Sequence, residues 1–243
     1  MPYQDQTKGR AARPRSIGRR TFLSLALCLG GTIALSGCGK AVKGGAGTNE
    51  VSTDSAGTDT AGGGASGALA KPLDNGYGSG THHATIEVES FGTIEVELNA
   101  SAAPITVSNF AELVGSGFYD GLTFHRVISG FMIQGGDPRG DGSGGSDRRI
   151  KGEFSANGVV NPIRHRRGVI SMARSSDYDS ASSQFFIMHG DSNSLDGQYA
   201  AFGKVTGGMD VVDAIAQGTP VQDSNGGVAA ADQPRIARIS MVD

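Results

Sequence analysis

Apolar and polar residues alternate strictly in two neighbouring stretches of the chain, at 84–89 (Ala-Thr-Ile-Glu-Val-Glu) and at 93–98 (Thr-Ile-Glu-Val-Glu-Leu). A period of two places successive side chains on opposite faces of a β-strand. Because Phe91-Gly92 separates the stretches, they are expected to pair as a hairpin with one buried face. The pattern favours a β-rich fold in which one face of a sheet is covered.

The rest of the C-terminal two thirds is dominated by short elements. Apolar residues recur at i, i+3, i+4 and i+7 from Val107, which predicts a helix from Pro104 to about Val114. A second helix is expected at about 209–217. Further strands are predicted at 122–127, 131–135, 168–173, 184–188, 201–205 and 235–242. Short strands with so few helices favour a closed antiparallel barrel or a sandwich over a parallel sheet.

The N-terminus has the pattern of an export signal. Basic residues crowd the first 20 positions, and an apolar run follows from Phe22 to Leu35. This run is shorter than the ~20 residues that a membrane span needs. It ends in Leu-Ser-Gly-Cys at 35–38, which resembles a lipobox. We therefore expect a signal peptide at 1–37, with Cys38 becoming the lipidated first residue of the mature protein.

Two further observations bear on export. The chain has two cysteines, Cys28 and Cys38, and removal of the signal would leave Cys38 with nothing to pair with. Lipidation explains this lone cysteine, and a free thiol in the N-terminal tail is the alternative. The run Arg-Arg-Thr-Phe-Leu at 19–23 resembles the twin-arginine export motif, with an ordinary Sec signal as the alternative.

Gly, Ser, Thr, Ala and Asp dominate residues 39–80. Such a segment buries too little apolar surface to offset the entropy of ordering it. We expect a flexible, lipid-anchored linker at 38–80, with a root-mean-square span of about 35 Å, and one folded domain at 81–243. The formal net charge of -3 gives no reason to expect a nucleic-acid partner.

Two segments set one permanent cation among apolar side chains: Phe-His-Arg-Val-Ile-Ser-Gly-Phe-Met-Ile-Gln-Gly-Gly at 124–136 and Ser-Gln-Phe-Phe-Ile at 183–187. Together with further motifs in the same order, they resemble the cyclophilin family of peptidyl-prolyl cis/trans isomerases, from about Thr85 to the C-terminus. The resemblance selects the barrel: a closed, eight-stranded, antiparallel β-barrel capped by two α-helices. The further motifs are Gly-Ser-Gly-Gly at 142–145, Gly-Val-Ile-Ser-Met-Ala at 168–173, Leu-Asp-Gly at 195–197 and Phe-Gly-Lys-Val at 202–205.

Rotation about a prolyl amide needs no nucleophile, metal or proton removal. It needs an apolar cup for the ring, a grip on the backbone, and a donor aimed at the nitrogen as conjugation is lost across a barrier of about 18–20 kcal/mol. On this basis and on the resemblance, Arg126 is the charged donor, Gln134 holds it, and Phe131 completes the catalytic set. The substrate-binding residues are expected to be His125, Met132, Ala173, Arg174, Phe185, Leu195 and Tyr199.

Some of these assignments carry a specific expectation. Phe186 alternates with Phe185 and is therefore expected to face the core. The backbone of Ala173 and Arg174 is expected to pair with an extended substrate. His125 is interpreted as a pocket wall, with acid/base work as the alternative. The basic run at 164–167 is interpreted as a solvated loop.

The sequence departs from the best-known eukaryotic pattern of the family. Ser129 replaces a common proline, Ser194 replaces a common tryptophan, and Tyr199 replaces a frequent histidine. The last two positions are expected to line the groove, so the resemblance leaves sensitivity to cyclosporin open.

The function that these observations favour is peptidyl-prolyl isomerisation by a monomeric lipoprotein at the outer face of the cytoplasmic membrane of a bacterium. Its partners are expected to be proline-containing polypeptides that fold after export. No cofactor is expected, and the histidines show no metal-ligand spacing. A non-catalytic module that binds proline peptides, and a structural lipoprotein of the cell wall, are the alternatives.

Overall fold

The computed structural model describes residues 67–243, and a single antiparallel sheet with two α-helices organises this range. The strands are β1 (Thr81–Val88), β2 (Gly92–Asn99), β3 (Thr123–Ile128), β4 (Met132–Asp137), β5 (Val169–Met172), β6 (Phe185–Met188), β7 (Ala201–Gly207) and β8 (Ile236–Met241). The helices are α1 (Pro104–Gly115) and α2 (Met209–Gly218). Every strand and helix expected from the sequence is present.

The predicted hairpin is confirmed. β1 and β2 are antiparallel, and Ile86 faces Ile94 in their register. Both side chains are fully buried. The turn contains Ser90 at φ 64° and Gly92 at φ 124°, a region of backbone space that glycine enters without the penalty a side chain brings.

The prediction of a closed barrel is wrong, because the sheet is an open, curled half-barrel. Its strand order is β3-β4-β6-β5-β7-β2-β1-β8, so β3 and β8 are its two edges. Within the described residues these edges meet at one end, where an isolated bridge joins Thr123 and Arg235, Phe124 N–H donates to Pro234 O at 2.9 Å and Ile236 N–H donates to Leu122 O at 2.7 Å. Most of the free edge of β3 pairs instead with a loop: Val127 N–H donates to Gly226 O at 2.8 Å, and Val228 N–H donates to His125 O at 3.0 Å. The loop takes the place that a closing strand would need.

Helix α1 is anchored by a buried carboxylate from a distant loop. Pro104 occupies its first turn, and Ala103 at the N-cap offers no side-chain acceptor. Glu153 supplies the acceptors instead: it bonds Ile105 N–H at 3.0 Å, and Thr106 through N–H at 2.8 Å and through the hydroxyl at 2.7 Å. Burial raises the pKa of Glu153, and the hydrogen bonds from Thr106 and Ile105 oppose the rise.

Two apolar clusters lie on opposite faces of the sheet. The larger one is the core beneath the helices, and it includes Phe110, Phe124, Phe185 and Phe202. The smaller one contains Met132, Val169, Phe186, Met188 and Ala201, with Phe131, Leu195 and Tyr199 packed against it. The second cluster forms the floor of the groove described below.

The linker was expected to extend to residue 80, but the residues from 68 onward belong to the folded domain. Leu69 forms a parallel bridge with Ile150, donating to Arg149 O at 2.8 Å and accepting from Lys151 N–H at 2.9 Å. Leu73 N–H then donates to the Ser108 hydroxyl at 3.0 Å. We call residues 68–80 the strap. Composition failed to reveal it because its partners are far away in sequence.

The predicted signal peptide, Cys38 and most of the predicted linker lie outside the described residues. Within 67–243, the structure has no helix of the length and apolar character required to cross a membrane.

Candidate active site

An open cavity of about 680 Å³ lies on the face of the sheet opposite the main core. Polar groups line one side of it and apolar side chains line its floor. Of the residues expected from the sequence, the lining includes His125, Arg126, Phe131, Met132, Gln134, Ala173, Arg174, Leu195 and Tyr199. It also contains Phe186, Asp223 and Asn225, which the sequence analysis did not assign to the site.

Arg126 is held at the polar side of the cavity by three hydrogen bonds. Its Nη1 donates to Gln134 Oε1 at 3.2 Å, as expected from the sequence. Its Nε donates to Asn225 O at 2.8 Å, and its Nη2 donates to Asn225 Oδ1 at 3.1 Å. Burial lowers the pKa of Arg126, but arginine remains protonated in proteins. The site therefore presents a fixed cation.

Gln134 connects this cation to a glycine-rich loop. Its Nε2 donates to Gln184 Oε1 at 2.8 Å. Gln184 in turn donates to Gly144 O at 2.7 Å and to Gly142 O at 3.1 Å. Gln184 lies within the motif at 183–187, and its linking role is a feature that sequence reasoning missed. The relay fixes the orientation of the Gln134 amide, whose oxygen must face Arg126.

The placement of the two phenylalanines on β6 corrects the sequence prediction. Phe185 was expected in the pocket, but it is fully buried in the main core. Phe186 was expected in the core, but it lines the cavity. The reason is the strand register: Phe186 lies directly opposite Gln134 of β4 and Ser171 of β5, and directly opposed residues share one face of a sheet. The two residues do lie on opposite faces of the sheet, as predicted, but each faces the side expected for the other.

Tyr199 forms a wall of the cavity and is fixed by its neighbours. Its ring packs edge-on against Phe186, with centroids 5.8 Å apart. The guanidinium of Arg174 lies 4.7 Å from the Tyr199 ring centroid, and also stacks on Phe154 and Tyr178 at 5.2 Å and 4.9 Å. Cation–π contacts of this kind hold both partners in place. Ser194, by contrast, is exposed and is not among the residues that line the cavity.

A buried histidine supports the floor of the cavity from below. His165 lies between Asp196, at 3.2 Å from Nδ1, and the Ser171 hydroxyl, at 3.0 Å from Nε2. Its ring stacks on Phe186 with centroids 6.0 Å apart. Burial lowers the pKa of His165, although the Asp196 carboxylate opposes the effect. The His165 ring therefore packs beneath the apolar floor in surroundings that disfavour its charged form.

His125 is buried in the cavity wall, and neither of its ring nitrogens has a hydrogen-bond partner in the described part of the chain. Burial lowers its pKa, Asp137 opposes the effect, and Arg126 adds to it. This arrangement fits the wall that the sequence predicted. No described residue bonds to the ring in the way that orients a general base.

A second, polar cavity of about 370 Å³ adjoins the first one. The two share Gln134, Ala173 and Arg174, so they form one continuous groove. The glycine-rich loop borders the polar part, as the resemblance implied for 142–145. Buried Asp137 holds this loop, because its carboxylate accepts from the N–H groups of Asp141 and Gly142 at 3.2 and 2.6 Å.

The basic run at 164–167 is ion-paired rather than simply solvated. Arg164 contacts Asp196 at 3.5 Å, Arg166 contacts Asp191 at 3.2 Å, and Arg167 contacts Asp213 at 2.7 Å. These pairs are mostly exposed, so each contributes little to stability on its own. Each arginine of the run is thus balanced by a neighbouring aspartate. Among residues 67–243, no group of three or more His, Cys, Asp or Glu side chains is arranged to hold a metal ion.

Comparison with known proteins defines the class. The family model for cyclophilin type peptidyl-prolyl cis-trans isomerases matches residues 83–241, and the chain belongs to this family. The protein is accordingly a peptidyl-prolyl cis-trans isomerase, an enzyme of the isomerase class.

Named relatives and a solved structure agree with this assignment. The chain is 46% identical over 144 residues to the peptidyl-prolyl cis-trans isomerase of Helicobacter pylori, covering 58% of this chain and 85% of that one. It is 45% identical over 136 residues to peptidyl-prolyl cis-trans isomerase B of Bacillus subtilis, covering 56% and 92%. The structure is similar to a cyclophilin type isomerase of Cryptosporidium parvum crystallised in the presence of the dipeptide Ala-Pro. The TM-score is 0.59 at 32% identity, over 66% of this chain and 99% of that one.

Proposed function

We propose that Arg126 catalyses the isomerisation by electrostatic stabilisation of the twisted prolyl amide. The observation that carries this proposal is the fixed guanidinium, hydrogen-bonded at three points beside an apolar floor. As the amide twists, its nitrogen loses conjugation and becomes a better hydrogen-bond acceptor. A preorganised cation stabilises that state more than the planar one, and it needs no reorganisation at the moment of reaction.

The apolar side chains bind the proline ring in this mechanism. Phe131, Met132, Phe186 and Leu195 form the cup, and Tyr199 closes its side. Ala173 and Arg174 lie at the point where β5 ends, so an extended substrate can add there as a strand. Because Ala173 N–H already donates to Gln184 O at 2.9 Å, pairing at Ala173 is left to its carbonyl oxygen. The substrates are therefore Xaa-Pro bonds in extended or unfolded polypeptides.

Arg126→Ala tests the mechanism. We expect kcat/KM to fall by about one to three orders of magnitude, because one preorganised donor contributes about 2.7–4 kcal/mol in comparable sites and an amide develops less charge than an oxyanion. Arg126→Lys is the matched control, since it keeps the charge and loses the fork that engages Gln134 and Asn225 together. A folded Arg126→Ala protein with wild-type turnover would exclude this mechanism.

The second part of the proposal concerns location. We propose that the isomerase is exported, lipidated on Cys38 and held as a monomer at the outer face of the cytoplasmic membrane. There it assists the folding of exported proteins. Support comes from the basic start of the chain, the apolar run at 22–35 and the lipobox-like residues 35–38. Stable anchoring needs more than one acyl chain, which a diacylated cysteine provides.

Fractionation of cells tests the anchor. Cys38→Ser should lose acyl labelling and move from the washed membrane fraction to the soluble extracytoplasmic fraction, whereas Cys28→Ser, the matched control, should remain on membranes. Retention of an unlabelled Cys38→Ser protein on washed membranes would show that another feature anchors it. Replacing Arg19 and Arg20 by lysine distinguishes the two export routes, because only the twin-arginine route requires that pair.

A further inference from the structure

The orientation of Arg126 depends on a loop that is remote in sequence. Two of the three hydrogen bonds of its guanidinium go to Asn225, one to the backbone oxygen and one to the side-chain oxygen. Asn225 lies 99 residues further along the chain. Gln134 holds only the Nη1 corner, at 3.2 Å. Without Asn225, the guanidinium would keep only its hydrogen bond to Gln134 among these three. It would then be free to rotate about the terminal bonds of the side chain.

The loop that carries Asn225 is built to hold a fixed shape. The carboxylate of Asp223 accepts from Asn225 N–H at 2.8 Å and from Gly227 N–H at 3.1 Å. Gly226 has φ 82°, and a side chain there would clash with the backbone oxygen of Val127. In addition, Gly226 O accepts from Val127 N–H at 2.8 Å. The loop is therefore locked both internally and against β3.

We propose that Asn225 is a positioning residue for the isomerase reaction, which aims the guanidinium of Arg126 at the substrate amide. The inference rests on the proposed catalytic role of Arg126. Both acceptors on Asn225 are neutral amide oxygens, so they hold the guanidinium without cancelling its charge. Asp223 also lines the cavity and lies close enough to favour the charged form of Arg126 electrostatically.

Three variants separate this role from a general effect on folding. Asn225→Ala removes the side-chain acceptor and keeps the backbone acceptor. We expect kcat/KM to fall about three- to tenfold, the scale of one ordinary hydrogen bond, because this one is exposed to solvent. Asn225→Gln keeps a neutral amide acceptor on a side chain one methylene longer and should restore at least half of the wild-type value. Ser224→Ala, a matched change at the exposed neighbour that does not line the cavity, should leave kcat/KM unchanged.

The decisive experiment repeats Asn225→Ala in the Arg126→Ala background. If Asn225 acts through Arg126, its replacement should have no further effect there, because the two changes then belong to one coupled unit. In parallel, side-chain ¹⁵N spectra of Arg126 should show faster rotation of the guanidinium amino groups in Asn225→Ala than in Ser224→Ala. A purely structural role of the loop would alter the unfolding midpoint and leave this rotation unchanged.

The outcomes distinguish the inference from the proposal beneath it. Wild-type kcat/KM for Asn225→Ala, or an equal loss in both backgrounds, would overturn the positioning role while leaving Arg126 as the catalytic cation. Wild-type kcat/KM for Arg126→Ala would overturn the proposed mechanism itself. A loss in Asn225→Ala that Asn225→Gln restores, and that disappears in the Arg126→Ala background, would establish the role.

Discussion

The adjacent phenylalanines of β6 allow a matched test of which face of the sheet performs the chemistry. Phe185 lies in the core and Phe186 lies in the groove. Replacing each one by leucine keeps an apolar side chain of similar reach and removes one aromatic ring. The two variants therefore differ only in the face from which the ring is lost.

The expected magnitudes follow from the contacts of each ring. Phe185 is packed against Phe110, Tyr119 and Phe124, with centroids 5.9, 5.7 and 6.1 Å apart and planes nearly perpendicular. Such pairs contribute about 0.5–1.5 kcal/mol each beyond buried area, so Phe185→Leu should lower the free energy of unfolding by about 2–4 kcal/mol. Among residues 67–243, Phe186 has aromatic contacts with His165 and Tyr199 only, so Phe186→Leu should lower the free energy of unfolding by about 1–2 kcal/mol.

The two variants should rank in the opposite order when the loss of activity, and not the loss of stability, is compared. Phe186→Leu should lower kcat/KM about tenfold, the scale of reshaping an apolar pocket, whereas Phe185→Leu should leave kcat/KM of the folded protein within about twofold. Urea unfolding gives the stabilities, and a proline-peptide isomerisation assay at low temperature gives the rates. If Phe185→Leu impaired turnover while Phe186→Leu impaired only stability, the assignment of faces would be wrong.

Other predictions concern stability. Glu153→Ala should lower the free energy of unfolding by about 1–3 kcal/mol, because it leaves the first turn of α1 without its buried acceptors; equal urea midpoints would contradict this. A domain that begins at Thr81 should be about 1–3 kcal/mol less stable than one that begins at Gly67, through lost strap hydrogen bonds, with the same kcat/KM. Since burial lowers the pKa of His125 and His165 in the folded state, the stability they contribute is complete above pH ~6.5 and should decrease as pH falls below it. Unfolding curves between pH 5 and 7.5 measure this, and His165→Asn should flatten the profile.

The local sequence pattern predicts much of the fold. The features that it does not predict depend on pairing between residues far apart in the chain. The alternation at 84–89 and 93–98 identified β1 and β2, because a period of two requires no knowledge of partners. The same alternation could not say which of Phe185 and Phe186 faces the groove. That choice depends on the register with β4 and β5, which places Phe186 opposite Gln134.

The site shows the same division. Arg126 and Gln134 are eight residues apart on paired strands, so one motif contained both of them. Asn225 reaches Arg126 from a loop whose residues 223–227, Asp-Ser-Asn-Gly-Gly, indicate a turn but not its partner, and only the folded chain brings them together. The closed barrel failed for a related reason, since an irregular loop covers the edge of β3 and leaves no strand pattern in the sequence.

The strap has a mechanical consequence. Leu69 is joined to residues 149–151 by two backbone hydrogen bonds, and Leu73 and Asn75 are joined to Ser108 of α1. A pull on the chain upstream of Gly67 therefore loads these few bonds before any force reaches β1. They can detach one after another while the sheet and the groove stay intact. Under tension the strap would therefore detach first, and the residues that bind substrate would keep their arrangement.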